Sequence, residues 1–319
     1  MTQRWGPTDI GDLHGRTAIV TGANSGLGFE TARALALHGA SVVLGCRNAD
    51  RAAEAQGRIR TEFPGADVTV GPLDLADLAS VQSFASTYAG ARVDLLVNNA
   101  GVMAIPHRLT ADGFEMQFGT NHLGHFALTG LLLPALLRSP APRVVTVSSF
   151  MHVFGTIDVT DLQHERRYRR WGSYTQAKLA NLLFAFELDR RARSGRSALL
   201  SLAAHPGFAA TNLQATGPRM DGQVLVARAI EVTNRFVAQS AANGALPVLY
   251  AATAPRVHGG EFFGPHLWMW GHPTQAWCTP AARNAEAARR LWEASEQLTG
   301  VTFDALSAGP LDRSPGAAT

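Results

Sequence analysis

The stretch Thr17-Ala-Ile-Val-Thr-Gly-Ala-Asn-Ser-Gly-Leu-Gly28 decides the fold. It opens with a short run of β-branched and apolar residues, continues into three glycines, and is followed by an amphipathic segment that lasts until Gly39. Short apolar runs predict strands, and a glycine after a helical pattern predicts the end of a helix. The stretch therefore predicts a strand, a glycine-rich turn and a helix, in that order.

The same order repeats along the chain. Apolar runs predict further strands at 41–44, 67–70, 93–97, 144–147, 199–203 and 260–263, and helical patterns fall at 50–60, 77–88, 110–138 and 173–193. Strands that alternate with helices at this spacing predict a parallel sheet covered on both faces. We therefore expect one α/β domain over residues 1–319, a doubly wound parallel sheet of the Rossmann type, with residues 306–319 as a flexible tail.

Composition narrows the function classes. The 319 residues are 46% hydrophobic and their 28 basic side chains nearly balance 25 acidic ones, so a nucleic-acid partner is not expected. Two cysteines, Cys46 and Cys278, form no disulfide framework, which favours a reducing, cytoplasmic location. No membrane span is expected, because the most apolar segment, 123–137, is too short and contains His125 and Pro134.

The glycine-rich turn is a candidate phosphate site. Glycines let the backbone approach a pyrophosphate at a helix N-terminus, where free N–H groups favour anions. The residues of this turn that would surround the anion are Gly22, Asn24, Ser25, Gly26, Leu27 and Gly28. A glycine cluster alone also occurs in turns that bind nothing.

The residues at the end of the second predicted strand indicate whether the site would select NAD or NADP. An NAD-selective site places an acid there, whereas this chain has Cys46 followed by Arg47. We therefore expect NADP(H), with Arg47 facing the 2′-phosphate. The alternative is that Arg47 is one more solvated arginine in an arginine-rich protein.

The segment Tyr174-Thr-Gln-Ala-Lys178 is the candidate catalytic pair. Its i, i+4 spacing places both side chains on one helix face, and it contains the only lysine among the 28 basic residues. A phenol acting as a base near neutral pH needs its pKa lowered by ~3 units from ~10, or about 4 kcal/mol. We expect Lys178 and a cationic nicotinamide to supply this stabilisation, the alternative being an ordinary surface pair.

Taken together, these motifs resemble the short-chain dehydrogenase/reductase family. The matching residues are Thr21-Gly-x-x-x-Gly-x-Gly28, Asn98-Asn-Ala-Gly101, Asn121, Ser148-Ser149 and Tyr174-x-x-x-Lys178. The resemblance implies that Tyr174 transfers the proton and Ser149 polarises the substrate carbonyl, with Ser148 still open. It further implies that Lys178 holds the nicotinamide ribose and Asn121 keeps a water beside the lysine.

Other positions receive supporting roles from the same resemblance. Asp74 and Leu75 would lie near the adenine, Asn98, Ala100 and Gly101 near the nucleotide ribose, and Pro206, Gly207 and Thr211 near the carboxamide. For Asn98 the alternative is a role in fixing the backbone. The segments Asn121-His-Leu-Gly-His-Phe126 and Tyr174 to Asn181, and the long interval between Ser149 and Tyr174, resemble most closely the retinol-dehydrogenase-like branch.

The same family builds its substrate pocket from segments that here correspond to 208–236 and 262–277. We expect them to form a small helical lobe. Their large apolar side chains, which are Phe208, Met220, Phe236, Trp268, Met269 and Trp270, favour a lipophilic aldehyde, ketone or alcohol. The alternative is that these side chains form ordinary core or a subunit interface.

The long serine-to-tyrosine interval contains the arginine-rich segment 164–171. We expect a solvated loop there, with Tyr168 and Trp171 near the entrance of the site. The histidines His122, His125, His152 and His205 are interpreted as packing or turn residues, with His152 a candidate to face substrate and no metal site expected. The apolar helices at 123–137 and 173–193 predict a homo-oligomer.

Two rival functions remain open at this point. One is an NADP(H)-sensing or interaction protein that keeps the fold without turnover. The other is an epimerase or dehydratase that uses the same Tyr174 and Lys178 pair for a transient oxidation.

Overall fold

The short apolar runs become the strands of one sheet. The computed structural model of the protein describes residues 5–208 and 239–307. Within that part, eight strands lie in the order β3-β2-β1-β4-β5-β6-β7-β8. They are β1 (Thr17–Thr21), β2 (Ser41–Cys46), β3 (Val68–Pro72), β4 (Leu95–Asn98), β5 (Arg143–Val147), β6 (Leu200–Ala204), β7 (Phe262–Pro265) and β8 (Pro273–Gln275).

The predicted doubly wound α/β fold is confirmed. Neighbouring strands from β3 to β7 pair in parallel, and only β8 runs antiparallel to its neighbour β7. The central register is apolar, since Val20 of β1 lies beside Leu44 on one side and Val97 on the other. The strand order reverses at β1 and β4, so their carboxyl ends open a crevice at the edge where such folds bind ligands.

Helices cover both faces of the sheet. They are α1 (Gly26–Leu37), α2 (Ala49–Glu62), α3 (Leu78–Ser86), α4 (Met116–Phe118), α5 (Gly124–Leu136), α6 (Arg170–Ser194), α7 (Ala241–Thr253), α8 (Ala285–Thr299) and α9 (Asp304–Ser307). Several begin at a side-chain cap. The Asp77 carboxylate accepts from the Ala79 and Ser80 N–H groups at the start of α3, and Asn48 caps α2 in the same way.

The core lies in two layers, one on each side of the sheet. Along β1, Ile19 faces the layer that contains Phe126 and Phe184, and Val20 faces the layer that contains Leu35 of α1. Both β1 side chains are fully buried. Burial on both faces explains why the central strands are mostly apolar along their length.

The helix predicted over 110–138 begins later than expected. Residues around the Asp112-Gly113 pair form a turn closed by a bridge between Leu109 and Glu115. The Glu115 carboxylate then accepts from the N–H groups of Gln117 and Phe118, which starts α4. A π-helical turn, Gly119–Leu123, joins α4 to α5. The prediction was wrong for the first six residues because the turn chemistry of Asp-Gly outweighed the helical pattern.

The apolar faces of α5 and α6 are covered by the chain itself. Trp292 of α8 lies 5.0 Å from Phe126 and stacks on Phe184 at 5.7 Å between ring centroids. Phe303 packs against the same tryptophan at 4.5 Å. This packing removes the basis on which a homo-oligomer was expected, because the surface that indicated a second subunit is buried in one chain.

Two further expectations about the C-terminal part need correction. The segment 262–277 forms β7, a tight loop and β8, and no helix, because Phe262 and Phe263 pair with β6 as a sheet strand. Leu306 belongs to α9 and is buried, so the flexible tail does not begin there. Residues 308–319 lie outside the described residues, as do Thr211, Met220 and Phe236.

Across residues 5–208 and 239–307, every helix is too short or too polar to cross a lipid bilayer.

Candidate active site

The first turns of α6 carry the predicted catalytic pair. Tyr174 and Lys178 are both buried, and the Lys178 Nζ lies 5.9 Å from the centre of the Tyr174 ring. The Ser149 side chain, which follows β5, lies beside Tyr174, where it counteracts the rise in the pKa of the phenol. The structure thus brings together a phenol, an ammonium and a hydroxyl at the carboxyl edge of the sheet.

The two adjacent serines have different partners. The Ser148 hydroxyl donates to the Lys178 backbone carbonyl at 2.7 Å, so its proton is already used inside the fold. Ser149 accepts from the Met151 N–H at 3.2 Å and faces the phenol. Both hydroxyls meet α6, but only that of Ser149 lies beside the Tyr174 phenol, where it can meet an incoming oxygen.

Burial opposes the charged forms of both catalytic groups. It lowers the pKa of Lys178 to about 8. It raises the pKa of Tyr174 to about 12, although the neighbouring Ser149 side chain lowers it in part. Desolvation therefore dominates the pKa of the phenol, and the expectation that Lys178 and a cationic nicotinamide together lower it stays a prediction.

The Lys178 ammonium is held by the end of β5. Its Nζ donates to the Val147 carbonyl at 3.1 Å, and the Asn181 amide donates to the same oxygen at 3.1 Å. Asn181 lies one turn after Lys178 on α6. The lysine head group therefore keeps a fixed position relative to the strand that carries Ser149.

Asn121 lies in the π-helical turn and is fixed by the loop after β4. Its amide nitrogen donates to the Val102 carbonyl at 2.9 Å, and its Oδ1 accepts from the Val102 N–H at 2.8 Å. Gly101 lies between Asn121 and the lysine: a Cβ there would stand 2.9 Å from the Asn121 Oδ1 and 3.7 Å from the Lys178 Nζ. Only glycine fits this close approach.

The glycine-rich turn has the shape that a pyrophosphate requires. Gly22 has a φ of +66°, and a Cβ on it would lie 3.0 Å from Ala100. Ser25, the residue before α1, makes no side-chain cap hydrogen bond, which leaves the first N–H groups of that helix without a side-chain acceptor. These donors and the helix dipole fit an anionic nucleotide.

The end of β2 presents a thiol and a guanidinium where a carboxylate would select NAD. Arg47 is 72% exposed through its side chain and its Nε lies 4.0 Å from the Asp74 Oδ2. The Cys46 thiol is buried, which raises its pKa to about 11, and accepts from the Ala23 and Asn24 N–H groups. Leu75, next to Asp74, is buried against Gly124 of α5.

Asn98 and its neighbour Asn99 both have partners within the fold, and the expected place of Asn98 near the nucleotide ribose stays a prediction. Asn98 is fully buried and donates to the Thr129 hydroxyl of α5 at 3.0 Å, so it fixes the packing of that helix. Asn99 is half-buried, and its amide donates to the Thr21 carbonyl at 2.7 Å. The neighbour in sequence, which the motif did not single out, is the one that supports the glycine turn.

The segment after β6 turns back over the sheet edge. The His205 Nδ1 accepts from the Gly207 N–H at 3.2 Å, and the Phe208 N–H donates to the Met269 carbonyl at 3.1 Å. Pro206 is bound through its carbonyl by the Gln239 amide. These contacts connect the predicted carboxamide segment to the loop between β7 and β8.

The arginine-rich segment 164–171 is tied to the site. The Tyr168 hydroxyl donates to the Ile105 carbonyl at 2.9 Å and accepts from the Gln117 amide at 2.9 Å. The same amide donates to the Arg170 carbonyl at 2.9 Å. Arg166, Arg167 and Arg169 are exposed, as expected of a solvated loop. Tyr168 differs, because it is held by hydrogen bonds to other segments.

Two further residues lie next to Tyr174 or the residue before it. The motifs did not reveal Glu115, whereas Trp171 was expected only near the entrance of the site. The Glu115 Oε2 accepts from the Ser173 hydroxyl at 2.5 Å, directly before Tyr174. The exposed Trp171 ring lies 6.1 Å from the Tyr174 ring, edge to face. Glu115 could not be found from spacing, because its partner is 58 residues away.

The four histidines that were interpreted as packing or turn residues are buried, and burial favours their neutral form. Burial lowers the pKa of His122 to about 3, that of His125 to about 4 and that of His205 to about 3. The His152 Nδ1 contacts the Ser149 carbonyl at 2.7 Å, and the ring packs on Phe262. Among the described residues, no group of three or more histidine, cysteine or acidic side chains is arranged to hold a metal ion.

Comparison with known proteins agrees with this geometry. A family model described as short chain dehydrogenase matches residues 16–217. The chain belongs to the short-chain dehydrogenase family. Human retinol dehydrogenase 14 is 40% identical over 311 residues, covering 92% of this chain and 89% of the relative. Human retinol dehydrogenase 13 is 40% identical over 307 residues, covering 94% and 89%. The resemblance to the retinol-dehydrogenase-like branch is confirmed.

Solved structures support the same assignment. An uncharacterised protein from Mycobacterium paratuberculosis is 41% identical with a TM-score of 0.79, and covers 97% of this chain and 100% of its own. A protein provisionally described as an NAD(P)-dependent gluconate 5-dehydrogenase from Beutenbergia cavernae, solved with NADP at low occupancy, is 26% identical with a TM-score of 0.61, covering 79% and 96%. This short-chain dehydrogenase is therefore an oxidoreductase built for a nicotinamide cofactor.

Proposed function

We propose that this short-chain dehydrogenase transfers hydride reversibly between NADP(H) and a lipophilic aldehyde, ketone or alcohol. One observation carries the proposal: Ser149, Tyr174 and Lys178 converge at the carboxyl edge of the sheet, beside the Gly101 approach to Asn121. A site that only sensed the nucleotide would have no need of a buried phenol beside a serine and a lysine. The arrangement fits catalysis better than binding alone.

The chain's own residues would divide the proton chemistry among them. A nicotinamide bound at this edge supplies or accepts the hydride. In carbonyl reduction the Tyr174 hydroxyl donates its proton to the substrate oxygen while the Ser149 hydroxyl hydrogen-bonds that oxygen. The Lys178 ammonium lies on the same helix face, where its charge favours the phenolate that remains. In alcohol oxidation the same groups act in reverse.

The preference for NADP(H) rests on the end of β2. The exposed Arg47 guanidinium can pair with a 2′-phosphate through charge-assisted hydrogen bonds. The position that would hold an NAD-selecting carboxylate is the buried Cys46 thiol, which is turned to the Ala23 and Asn24 N–H groups. Arg47 lies 4.0 Å from Asp74, but the end of β2 itself carries no acid, and this arrangement favours the phosphorylated cofactor.

The lipophilic substrate class rests on exposed apolar side chains, of which Trp171 lies beside the phenol. Trp171 contacts Tyr174 edge to face, and the loop between β7 and β8 exposes Leu267, Trp268 and Trp270. That loop is bound to the Phe208 N–H through Met269. Apolar surface next to a reactive oxygen site favours apolar ligands. The names of the relatives, retinol dehydrogenases, describe a lipophilic alcohol of this kind.

The experiment that tests the proposal measures the loss of NADPH absorbance, with NADH in parallel, against aliphatic, aromatic, terpenoid and steroidal carbonyls. Tyr174→Phe removes the proton donor and should lower kcat by about 10²- to 10⁴-fold while NADPH affinity is preserved. Tyr250→Phe is the matched control, because Tyr250 packs between Trp5 and Phe263 on α7.

The rivals predict different results. Tight NADPH binding without turnover of any substrate in the panel would favour the sensor, and product formation without net NADPH consumption would favour the epimerase or dehydratase. Equal activity of Tyr174→Phe and wild type would contradict the assigned proton donor.

A further inference from the structure

His125 lies under the active site and bonds both sides of it. Its Nδ1 is 3.0 Å from the Asn121 backbone carbonyl, and its Nε2 is 2.9 Å from the Thr21 hydroxyl. The second contact joins residues 104 positions apart. Thr21 ends β1 and opens the glycine-rich turn, whereas Asn121 belongs to the π-helical turn beside Lys178. The imidazole therefore bridges the cofactor side of the site and the proton side.

The hydrogen-bond partners of His125 determine which of its ring nitrogens carries the proton. A carbonyl oxygen only accepts, so the Nδ1 must be protonated and donate to Asn121. In a neutral ring the Nε2 then accepts, and the Thr21 hydroxyl donates to it. The Thr21 oxygen uses its two lone pairs to accept from the Asn99 and Ala100 N–H groups, both at 2.9 Å. Every donor and acceptor in this cluster is matched.

The charged imidazolium does not fit the same cluster. It would require the Thr21 oxygen to accept a third hydrogen bond and to turn its own proton to the Val97 carbonyl, which is 3.3 Å away. His125 is 1% exposed. Burial lowers its pKa to about 4, with the Lys178 charge acting in the same direction. The ring is therefore neutral throughout the range in which the enzyme would work.

Asn121 is held through both its side chain and its backbone. Both polar atoms of its side chain are already bonded to Val102, as the pair of 2.9 Å and 2.8 Å contacts shows. The main-chain carbonyl accepts from the His125 Nδ1–H at 3.0 Å. The orientation of that carbonyl therefore depends on the imidazole.

We propose that His125 is a positioning residue that fixes the Asn121 carbonyl through its Nδ1–H and the cofactor turn through its Nε2. This inference rests on the proposed function for its effect on turnover. The two bonds serve different parts of the reaction. The bond to Asn121 orders the surroundings of the lysine, and the bond to Thr21 orders the backbone that receives the nucleotide.

Two substitutions separate the bonds. In His125→Asn the amide nitrogen stands near the place of the Nδ1 and keeps the donor to Asn121, but the contact with Thr21 is lost. In His125→Gln the amide oxygen stands near the place of the Nε2 and keeps the acceptor for Thr21, but the donor to Asn121 is lost. Loss of one hydrogen bond corresponds to about a tenfold effect.

The two variants should affect different parameters, one the NADPH affinity and the other kcat. His125→Asn should raise the NADPH Kd about tenfold and keep kcat within about threefold. His125→Gln should lower kcat about tenfold and keep the NADPH Kd within about twofold. His122→Gln is the control and should change neither, because His122 lies three residues earlier in the π-helical turn and bonds Ser295. Equal losses in both parameters for the two His125 variants, or no loss in either, would overturn the proposal.

A second measurement uses the wild-type protein and needs no turnover. Nitrogen NMR of histidine-labelled protein, assigned with His125→Asn, should show His125 as the Nδ1–H tautomer with no titration between pH 6 and 8. An Nε2–H tautomer or a titration in that range would overturn the proposal. If the wild type turned over no substrate, the proposed function would fail, and the NMR and NADPH-binding results would still decide the role of His125.

Discussion

The catalytic interior and the aromatic rim differ in how much of their side chains is exposed to solvent. In the interior, Asn121, Tyr174 and Lys178 are at most 4% exposed, and their polar atoms have partners on other segments. The aromatic rim exposes large apolar side chains, which are Trp171, Leu267, Trp268, Trp270 and Trp277. A change in the interior leaves a buried polar group unmatched, whereas a change in the rim removes only apolar contact. Interior changes should therefore have the larger effects.

The serine pair gives the largest contrast within the interior. Ser149→Ala removes the hydroxyl that faces Tyr174 and should lower kcat about 10²- to 10³-fold, as for loss of an oxyanion donor. Ser148→Ala removes a hydroxyl bonded to the Lys178 carbonyl and should cost stability while kcat stays within about threefold. Steady-state kinetics with thermal melting measure both. The reverse pattern would move the catalytic role to Ser148.

The buried histidines predict a loss of stability in acid. The pKa values of His122, His125 and His205 are about 3, 4 and 3 in the fold, against an ordinary 6.5. Because the unfolded chain binds more protons below pH 6.5, stability is full above that pH and falls as the pH drops toward 4. The expected loss is about 1.4 kcal/mol per histidine per pH unit.

Urea unfolding at pH 7.5 and 5.5 measures this loss. His122→Gln should reduce the difference between the two pH values by about a third, since one of three such groups is removed. His14→Gln is the control, because His14 is an exposed side chain near the N-terminus. An equal pH dependence in wild type and His122→Gln would contradict the burial argument.

Changing Arg47 should have an effect between those of interior and rim changes, because Arg47 is exposed but its proposed partner is a charged phosphate. Arg47→Ala should raise the KM for NADPH about tenfold and leave the KM for NADH unchanged. Arg51→Ala, on the exposed start of α2, should change neither value. Similar KM changes for both nucleotides in Arg47→Ala would show that the guanidinium does not read the 2′-phosphate.

The rim should give the smallest effect. Trp268 stacks on Trp277 with ring centroids 6.0 Å apart and remains more than half exposed. Trp268→Ala should raise the KM of long-chain or terpenoid aldehydes about threefold, without changing kcat or the KM of short ones. Leu37→Ala, an exposed apolar change on α1, serves as the control. A tenfold fall in kcat would place Trp268 in the catalytic interior instead.

Much of the fold could be predicted from the sequence because its signals are local. Alternating strand and helix patterns fixed the order from β1 to β7, and the i, i+4 spacing correctly put Tyr174 and Lys178 on one face. Local signals were insufficient where a turn interrupted a pattern, as at Asp112-Gly113. They were also insufficient where an apolar helix could be buried either by a partner or by α8.

By itself, the sequence determined a doubly wound α/β chain of the short-chain dehydrogenase family, with a phenol and the only lysine side by side. Only the tertiary structure decided that Ser148 is used by the Lys178 backbone, that Glu115 binds Ser173 and that His125 bridges to Thr21. These contacts join residues 30 to 104 positions apart. No local pattern encodes such pairs, because packing of the whole chain brings them within hydrogen-bonding distance.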